Sequence, residues 1–203
     1  MARAPSIATL RARARGCRDC DLWKHATQTV FGEGPDDAQI VFLGEQPGDA
    51  EDRSGHPFVG PSGMLLDRAL DDAGVDHGKV YVTNVVKHFK FTPRGKRRMH
   101  QRANAQEQAA CRHWLESELA RIRPQRIVCL GATAAKAMLG PSFGLMRERG
   151  RWRDHESGAR IMATVHPSYI LRVHDEDREK AYAQFVADLK TIAKDEIGKS
   201  SRK

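Results

Sequence analysis

Four cysteines have the clearest potential for metal chemistry in this sequence: Cys17, Cys20, Cys111 and Cys129. The first two form a Cys-x-x-Cys pair, which lets two thiolates reach one metal centre from a single turn. The other two fall in a predicted helix and in the predicted strand that follows it, so all four sulfurs can converge. Widely spaced ligands favour an iron-sulfur cluster over a four-cysteine zinc site, whose second pair is usually as tight as the first. The alternative is that the last two cysteines are ordinary buried thiols.

A glycine- and proline-rich segment, residues 44–63, carries a second set of reactive side chains. Glycine and proline fix an unusual backbone path there, which places carboxylates and a carboxamide directly after a buried strand. The pattern is compatible with a nucleotide-binding loop, but it lacks the Gly-x-Gly-x-x-Gly and Walker spacings that phosphate cradles use. The side chains concerned are Glu45, Gln46, Asp49 and Asp52.

These residues follow the strands of a predicted α/β fold. Apolar, β-branched runs predict four buried strands, at residues 39–43, 79–86, 126–130 and 160–165. Periodic apolar positions predict helices at residues 62–73, 104–121, 132–139 and 177–193. Because strand and helix alternate, we expect a three-layer α/β/α arrangement with a central four-stranded parallel sheet. The working site is expected beyond the carboxyl ends of the strands, where Asn84 and His166 also lie.

Length and composition predict one globular domain over residues 1–203, with frayed termini. The sequence contains no run of about 18 apolar residues and no signal-peptide block, so we expect a cytoplasmic protein without a membrane partner. In that reducing compartment, four cysteines favour metal ligation over disulfides. The formal net charge of +8 makes nucleic acid a candidate partner, although a merely basic surface explains the charge equally well.

Five features, in order along the chain, resemble the family 4 uracil-DNA glycosylases. They are the four-cysteine layout, Gly-Glu-Gln-Pro-Gly at residues 44–48, Pro-Phe-Val-Gly-Pro-Ser-Gly at residues 57–63, Asn84 at a strand end, and His166-Pro167-Ser168. The resemblance implies a three-layer fold, a 4Fe-4S cluster, and a monomer that removes uracil from single- and double-stranded DNA and releases the free base. Such an enzyme takes the nucleotide out of the base stack and stabilises a leaving uracil anion and a cationic sugar.

The resemblance also implies roles for the pocket residues, and the chemistry of each side chain fits its role. Phe58 would stack on the flipped base, a contact worth about 1–3 kcal/mol. Asn84 can pair with N3 and O4 of uracil, and His166 can donate to O2 as negative charge develops there. Each of these three has a structural alternative, respectively a core aromatic, a cap and a strand end. Glu45 would stabilise the sugar cation or activate a nucleophile. The substrate contacts are completed by Gln46 and Asp49.

A basic loop at residues 93–102 contains Lys-Arg-Arg-Met-His, which resembles the Lys-Arg-Arg-Ile-His insertion of the X-type uracil-DNA glycosylases. The Glu-Gln pair at residues 45–46 resembles the same type. This resemblance implies that His100 attacks C1′ of the sugar after uracil leaves, which gives a stable covalent adduct with DNA and a single turnover. Glu45 or Asp52 would hold His100 in the correct tautomer.

The sequence departs from the X-type insertion at Met99, which stands in place of isoleucine. Methionine is comparably apolar but more flexible, so we expect it to anchor the loop with some loss of rigidity. Two other functions stay open: an ordinary family 4 glycosylase that turns over, and a non-enzymatic iron-sulfur module that binds nucleic acid. The residues expected to contact DNA are Lys96, Arg97, Arg98, Ser168 and Arg172.

Overall fold

The structure is a computed structural model that describes residues 5–200, with side chains described as far as residue 193. The extreme ends, which are part of the termini predicted to fray, lie outside the described residues. The strands are β1 (Ile40–Gly44), β2 (Val80–Asn84), β3 (Phe91–Arg94), β4 (Arg97–His100), β5 (Arg126–Leu130), β6 (Arg153–Asp154) and β7 (Arg160–Thr164). The helices are α1 (Ile7–Ala14), α2 (Asp49–Ser54), α3 (Pro61–Ala73), α4 (Ala105–Ile122), α5 (Gly131–Leu139), α6 (Leu145–Glu148), α7 (Pro167–Ile170) and α8 (Asp175–Ser200).

The main sheet has the strand order β2-β1-β5-β7-β6. The first four strands in this order pair in parallel, and β6 pairs antiparallel with β7. The predicted α/β fold is confirmed, but the sheet has five strands and not four. β6 could not be predicted from an apolar pattern because it has only two residues, both exposed. At the opposite edge, Glu33 forms an isolated antiparallel bridge with Val82.

Side chains of the central strands alternate between two apolar layers. Val41 and Leu43 of β1 belong to the core that α1, α4 and α5 share. Ile40 and Phe42 belong to the core shared with α3, α7 and α8. Both faces of the sheet are therefore buried, as the near-continuous apolar runs predict. This arrangement confirms the three-layer α/β/α architecture.

The described chain begins with a packed helix. Ile7, Leu10 and Ala14 of α1 are buried, and Ser6 caps the helix by accepting the Thr9 backbone N–H at 3.2 Å. Within the N-terminal part of the chain, which was predicted to fray, this arginine-rich helix therefore buries one apolar stripe against the core.

The basic loop predicted at residues 93–102 is largely a β-hairpin. β3 and β4 pair antiparallel, with Phe91 opposite His100 and Arg94 opposite Arg97. Gly95, at φ 58°, occupies the first position of a two-residue turn that requires positive φ. Because side chains alternate along a strand, Arg98 and His100 share one face of the hairpin.

No helix within residues 5–200 combines the length and the apolar character that crossing a membrane requires.

Candidate active site

A cavity of about 660 Å³ opens at the carboxyl ends of β1, β2, β5 and β7, the sheet edge where α/β proteins place their ligands. It brings together most of the predicted site: Glu45, Gln46, Asp49, Phe58, Asn84, His100, His166, Ser168 and Arg172. It does not include four other predicted residues: Asp52, Lys96, Arg97 and Arg98. A larger, mainly apolar groove of about 860 Å³ beside α4 contains none of the predicted site residues.

Two glycines allow the floor of the cavity to form. A Cβ on Gly44 would lie 2.3 Å from Asn84 Oδ1 and 2.8 Å from Phe58 Cζ, so the carboxamide and the ring both approach this backbone. Phe58 has a left-handed backbone, φ 55°, and a Cβ on Gly63 would lie 1.6 Å from its carbonyl oxygen. Its ring stacks at 27° on the ring of His166, with centroids 6.4 Å apart. The floor thus combines an aromatic face with a carboxamide.

His166 has a defined tautomer. Its Nδ1 accepts the backbone N–H of Ser168 at 3.1 Å, so the neutral ring carries its proton on Nε2. Burial, together with the charges of Arg172 and His100, lowers the pKa of His166 to about 4. The ring is therefore neutral at neutral pH and keeps Nε2–H as a hydrogen-bond donor.

The carboxylate of Glu45 is anchored at one oxygen only. Its Oε2 accepts a hydrogen bond from Thr133 Oγ1 at 2.7 Å, and Arg102 Nε lies 3.8 Å from the same oxygen. Its Oε1 is buried without a hydrogen-bond partner among the described residues. One carboxylate oxygen is therefore available to a cationic or hydrogen-bonding group in the cavity.

Gln46 connects the cavity to the hairpin. Its Nε2 donates to the backbone oxygens of Lys90, at 3.2 Å, and Gln101, at 2.9 Å, the residues that flank β3 and β4. Only Oε1, which has no partner within the described part of the chain, remains for the predicted contact of this side chain with uracil. No local pattern in the sequence indicated this structural role.

Arg98 holds the hairpin against α2 through ion pairs. Its guanidinium pairs with Asp49, and its Nη1 lies 2.6 Å from Asp52 Oδ2. It also lies over the ring of Phe91, 4.9 Å from the centroid. Arg98 is therefore engaged within the protein and is not free for the predicted phosphate contact.

Asp52 lies beneath the hairpin and not beside His100. It is fully buried, and besides Arg98 it accepts the backbone N–H of Thr27 at 2.9 Å. These partners account for both of its oxygens, so the structure does not support the prediction that Asp52 orients His100. Asp49 does line the cavity, and its pKa is lowered: burial alone would raise it, but hydrogen bonds from Arg53 and Arg98 favour the carboxylate.

The hairpin carries His100 to the mouth of the cavity, where its side chain is exposed. Its ring lies 6.1 Å from the ring of Phe89. Partial desolvation lowers the pKa of His100 from 6.5; nearby Glu45 opposes this effect, and Arg172 and Arg102 reinforce it. A neutral imidazole with an available lone pair is therefore the dominant form at neutral pH.

Glu51 is a residue of the site that the sequence analysis missed. Its Oε1 accepts the Gly60 N–H at 2.8 Å and its Oε2 accepts the Gly48 N–H at 3.0 Å. This buried carboxylate joins the two ends of the loop that carries Phe58. The available signal was its position three residues after Gly48, where an acidic side chain can close a capping box. Other residues that were missed are Arg102, Thr133, Leu145 and Met146.

Lys96 and Arg97 are exposed at the tip of the hairpin, where long cations can reach a phosphate backbone. Met99 is 42% exposed. The contacts that anchor the loop are provided by Arg98 and Gln46. Ser168 and Arg172 lie at the cavity, and Ser168 also contacts His166 Nδ1 through its hydroxyl, at 2.9 Å.

Three of the four cysteines are neighbours. Burial raises the pKa of Cys111 to about 11, and negative charge on Cys17 and Cys20 raises it further, while Lys87 opposes both. Two N–H groups donate to these sulfurs, Trp114 Nε1 to Cys17 and Lys87 N to Cys111, each at 3.2 Å. The donor set suits an iron-sulfur centre, for which N–H···S bonds and thiolates are usual.

No interaction with the other three thiols acts on Cys129, the fourth predicted ligand. It is fully enclosed in β5, and burial alone, with no contribution from the other thiols, raises its pKa. Buried His88 is a further candidate donor: it follows Lys87, whose backbone N–H reaches Cys111, and the charge of Asp19, which accepts from Cys17, acts on its ring. Within the described residues, no group of three or more His, Cys, Asp and Glu side chains is already arranged around a metal position.

Comparison with known proteins defines the class. The model of the uracil DNA glycosylase superfamily matches residues 31–190, which include both β1 and His166 and span most of the sheet. The chain belongs to the uracil-DNA glycosylase superfamily.

Its relatives within that superfamily include several type-4 enzymes. The type-4 uracil-DNA glycosylase of Thermotoga maritima is 37% identical over 91% of this chain and 93% of its own length. That of Pyrobaculum aerophilum is 38% identical over 78% of this chain and 81% of its own length. That of Archaeoglobus fulgidus is 34% identical over 87% and 86%, respectively.

Proposed function

We propose that the protein removes uracil from DNA, as the name type-4 uracil-DNA glycosylase describes for its relatives, and that it does so with turnover. The observation that carries this proposal is the convergence of Phe58, Asn84 and Nε2-protonated His166 in one cavity. An aromatic face, a carboxamide with donor and acceptor, and a neutral imidazole donor suit the face, the N3–O4 edge and the O2 atom of uracil.

In the proposed reaction the bond between C1′ of the sugar and N1 of uracil breaks, and its electron pair leaves with the base. Nε2–H of His166 stabilises the negative charge that develops on O2. The free oxygen of Glu45 stabilises the positive charge on the sugar. Water then adds to C1′ and loses a proton to solvent, and the uracil anion takes up a proton from solvent, which leaves an abasic site and free uracil.

Covalent capture by His100 is a second candidate, and one observation favours it. The hairpin holds a predominantly neutral imidazole at the mouth of the cavity, near Glu45. In this version a ring nitrogen of His100, and not water, bonds to C1′, and the ring proton passes to solvent. The product would be a DNA adduct formed once per protein molecule.

One experiment tests both candidates. The protein is incubated with an excess of a single-stranded oligonucleotide that contains one uracil, and free uracil and SDS-stable protein–DNA bands are measured over time. Uracil in molar excess over protein supports turnover. Release that stops at one uracil per protein, with a stable band that His100→Ser abolishes, supports capture. Absence of both uracil and band would overturn the proposed function. Asn84→Ala, which lacks the base-reading carboxamide, serves as the negative control.

We also propose that Cys17, Cys20 and Cys111 hold a 4Fe-4S cluster, with His88 as the fourth donor in place of Cys129. When bound, the cluster would join the N-terminal segment to α4 and to the chain after β2. Iron and acid-labile sulfide content of the purified protein tests this assignment. Cys129→Ala should keep both, whereas Cys17→Ala should lose them. Loss in Cys129→Ala with retention in His88→Ala would restore Cys129 as the fourth ligand.

A further inference from the structure

We infer that Thr133 is a positioning residue that holds Glu45 with one carboxylate oxygen free inside the active-site cavity. The inference rests on the proposed function, in which Glu45 faces the cationic sugar, and it adds a residue that lies outside the recognised motifs.

The geometry begins with the asymmetry of the Glu45 carboxylate. Thr133 Oγ1 donates to Oε2 at 2.7 Å, a short distance typical of a hydroxyl that donates to a charged oxygen. Oε1 is buried and has no partner among the described residues. The backbone of Glu45 is fixed as well, because its carbonyl oxygen accepts the Val86 N–H at 3.0 Å. The hydrogen bond from Thr133 therefore decides which way the carboxylate turns.

The fold explains why Thr133 can reach Glu45. α5 begins at Gly131, directly after β5, and Thr133 is its third residue. Gly131 has φ 89°, and a Cβ there would lie only 3.1 Å from the Cβ of His166, so the first turn of α5 lies close against the His166 loop. Thr133 is 6% exposed, and its β-branched side chain has few rotamers in a helix. Its hydroxyl is thus a rigid donor.

Arg102 makes this anchor necessary. Its side chain is 68% exposed and its Nε lies 3.8 Å from Glu45 Oε2. Without the Thr133 hydroxyl, the carboxylate could turn to form a two-oxygen ion pair with this guanidinium, which is the geometry that arginine favours. Oε1 would then be neutralised by Arg102 before the sugar cation forms. Thr133 keeps one oxygen out of that ion pair.

The test uses two variants of Thr133. Thr133→Val removes the hydroxyl with little change in shape, and Thr133→Ser keeps it. The uracil-release rate is measured in single turnover, with protein in excess over a uracil-containing single-stranded oligonucleotide. We expect Thr133→Val to slow release about tenfold, the effect of one hydrogen bond to a charged group. Thr133→Ser should stay within about twofold of the wild type.

Affinity and a second background separate positioning from general structural damage. The affinity for an oligonucleotide that contains 2′-fluoro-2′-deoxyuridine, which resists cleavage, should change less than about twofold in Thr133→Val. In a Glu45→Gln background, adding Thr133→Val should cause no further slowing, because Thr133 acts only through the Glu45 carboxylate. If Thr133→Val unfolds, Thr133→Ala replaces it in the same comparison.

The results that would overturn the role of Thr133 differ from the result that would overturn the proposed function. Full activity of Thr133→Val, or an equal loss in the wild-type and Glu45→Gln backgrounds, would overturn the positioning role while leaving uracil removal intact. Absence of uracil release from the wild-type protein would instead overturn the proposed function, and this inference with it.

Discussion

Two side chains of the cavity present different groups: His166 presents a neutral hydrogen-bond donor, and Glu45 presents a fixed negative charge. His166 keeps its proton on Nε2 because Ser168 N–H occupies Nδ1, and Glu45 keeps one oxygen free because Thr133 occupies the other. In each of these side chains, one atom accepts the orienting hydrogen bond and the other atom has the proposed role in the reaction. Both side chains are therefore preorganised.

The lowered pKa of His166 predicts a pH dependence of stability. The folded pKa, about 4, lies below the ordinary value of 6.5, so the unfolded state takes up a proton first as pH falls. The stabilising contribution is fully present above pH 6.5 and declines toward pH 4. Between pH 7 and pH 5 we expect His166 to account for a loss of about 2 kcal/mol in the free energy of unfolding.

Urea unfolding of the wild type and of His166→Asn at the two pH values measures this loss. Asparagine can still accept the Ser168 N–H as a helix cap but does not titrate. The variant should therefore lose less stability on acidification than the wild type. Equal losses would show that His166 is not buried in its neutral form.

Among the elements, the segment that follows β2 is joined to α4 by a fully buried ion pair. Lys87 Nζ lies 2.6 Å from Glu118 Oε2, and both side chains have zero exposure. Lys87 Nζ also donates to the backbone oxygen of Asn84 at 2.7 Å, and Glu118 accepts from the Tyr81 hydroxyl and the Gly32 N–H. The pair thus fixes the strand end that carries Asn84.

Removal of one partner should be costly. Lys87→Met leaves Glu118 buried without its cation, and we expect the free energy of unfolding to fall by about 3–5 kcal/mol in urea titrations. Lys87→Met combined with Glu118→Gln removes both charges and keeps an acceptor for Tyr81, so it should recover much of the loss. A single variant as stable as the wild type would contradict the burial of this pair.

The sequence predicted those elements whose burial leaves a local pattern. β5 and its prediction share the same bounds, because every residue of the strand is buried and apolar runs mark such strands. The hairpin was not predicted, since most residues of β3 and β4 are exposed and therefore lack apolar alternation. Its turn glycine was visible in the sequence, but the contacts of Arg98 with α2 join residues 46 or more positions apart.

In the site too, the sequence predicted what leaves a local pattern and did not predict contacts between distant residues. Residue types at strand ends predicted which side chains line the cavity, since parallel strands all end at one edge. No local pattern indicated which side chains hydrogen-bond to each other: Thr133, the partner of Glu45, is 88 residues away from it. Cys129 was expected beside the other thiols only because its strand follows α4, and membership of an adjacent element does not by itself determine where a side chain lies.

Over the whole molecule, a net charge of +8 favours any polyanion, and the hairpin tip concentrates part of that charge near the cavity. We expect Lys96→Ala and Arg97→Ala each to reduce the slope of log K against log salt concentration by about 0.7 for single-stranded DNA. Fluorescence anisotropy with a labelled oligonucleotide over a salt series measures the slope.

Arg112→Ala is the matched control for this series. Arg112 lies on α4, pairs with Glu116 at 2.9 Å and lines the groove beside α4 and not the active-site cavity. Its loss changes the net charge by the same amount, but the slope should stay as in the wild type. Equal reductions in all three variants would mean that the net charge, and not the hairpin, governs DNA binding.

The two edges of the main sheet have a consequence for behaviour at high protein concentration. β2 is covered in part by the bridge between Glu33 and Val82, and the opposite edge ends in the two residues of β6, which are charged. Neither edge therefore offers a long row of free N–H and C=O groups to a strand of another molecule. The bridge at β2 and the shortness of β6 therefore protect the sheet against edge-to-edge aggregation, and neither feature has a part in the proposed reaction.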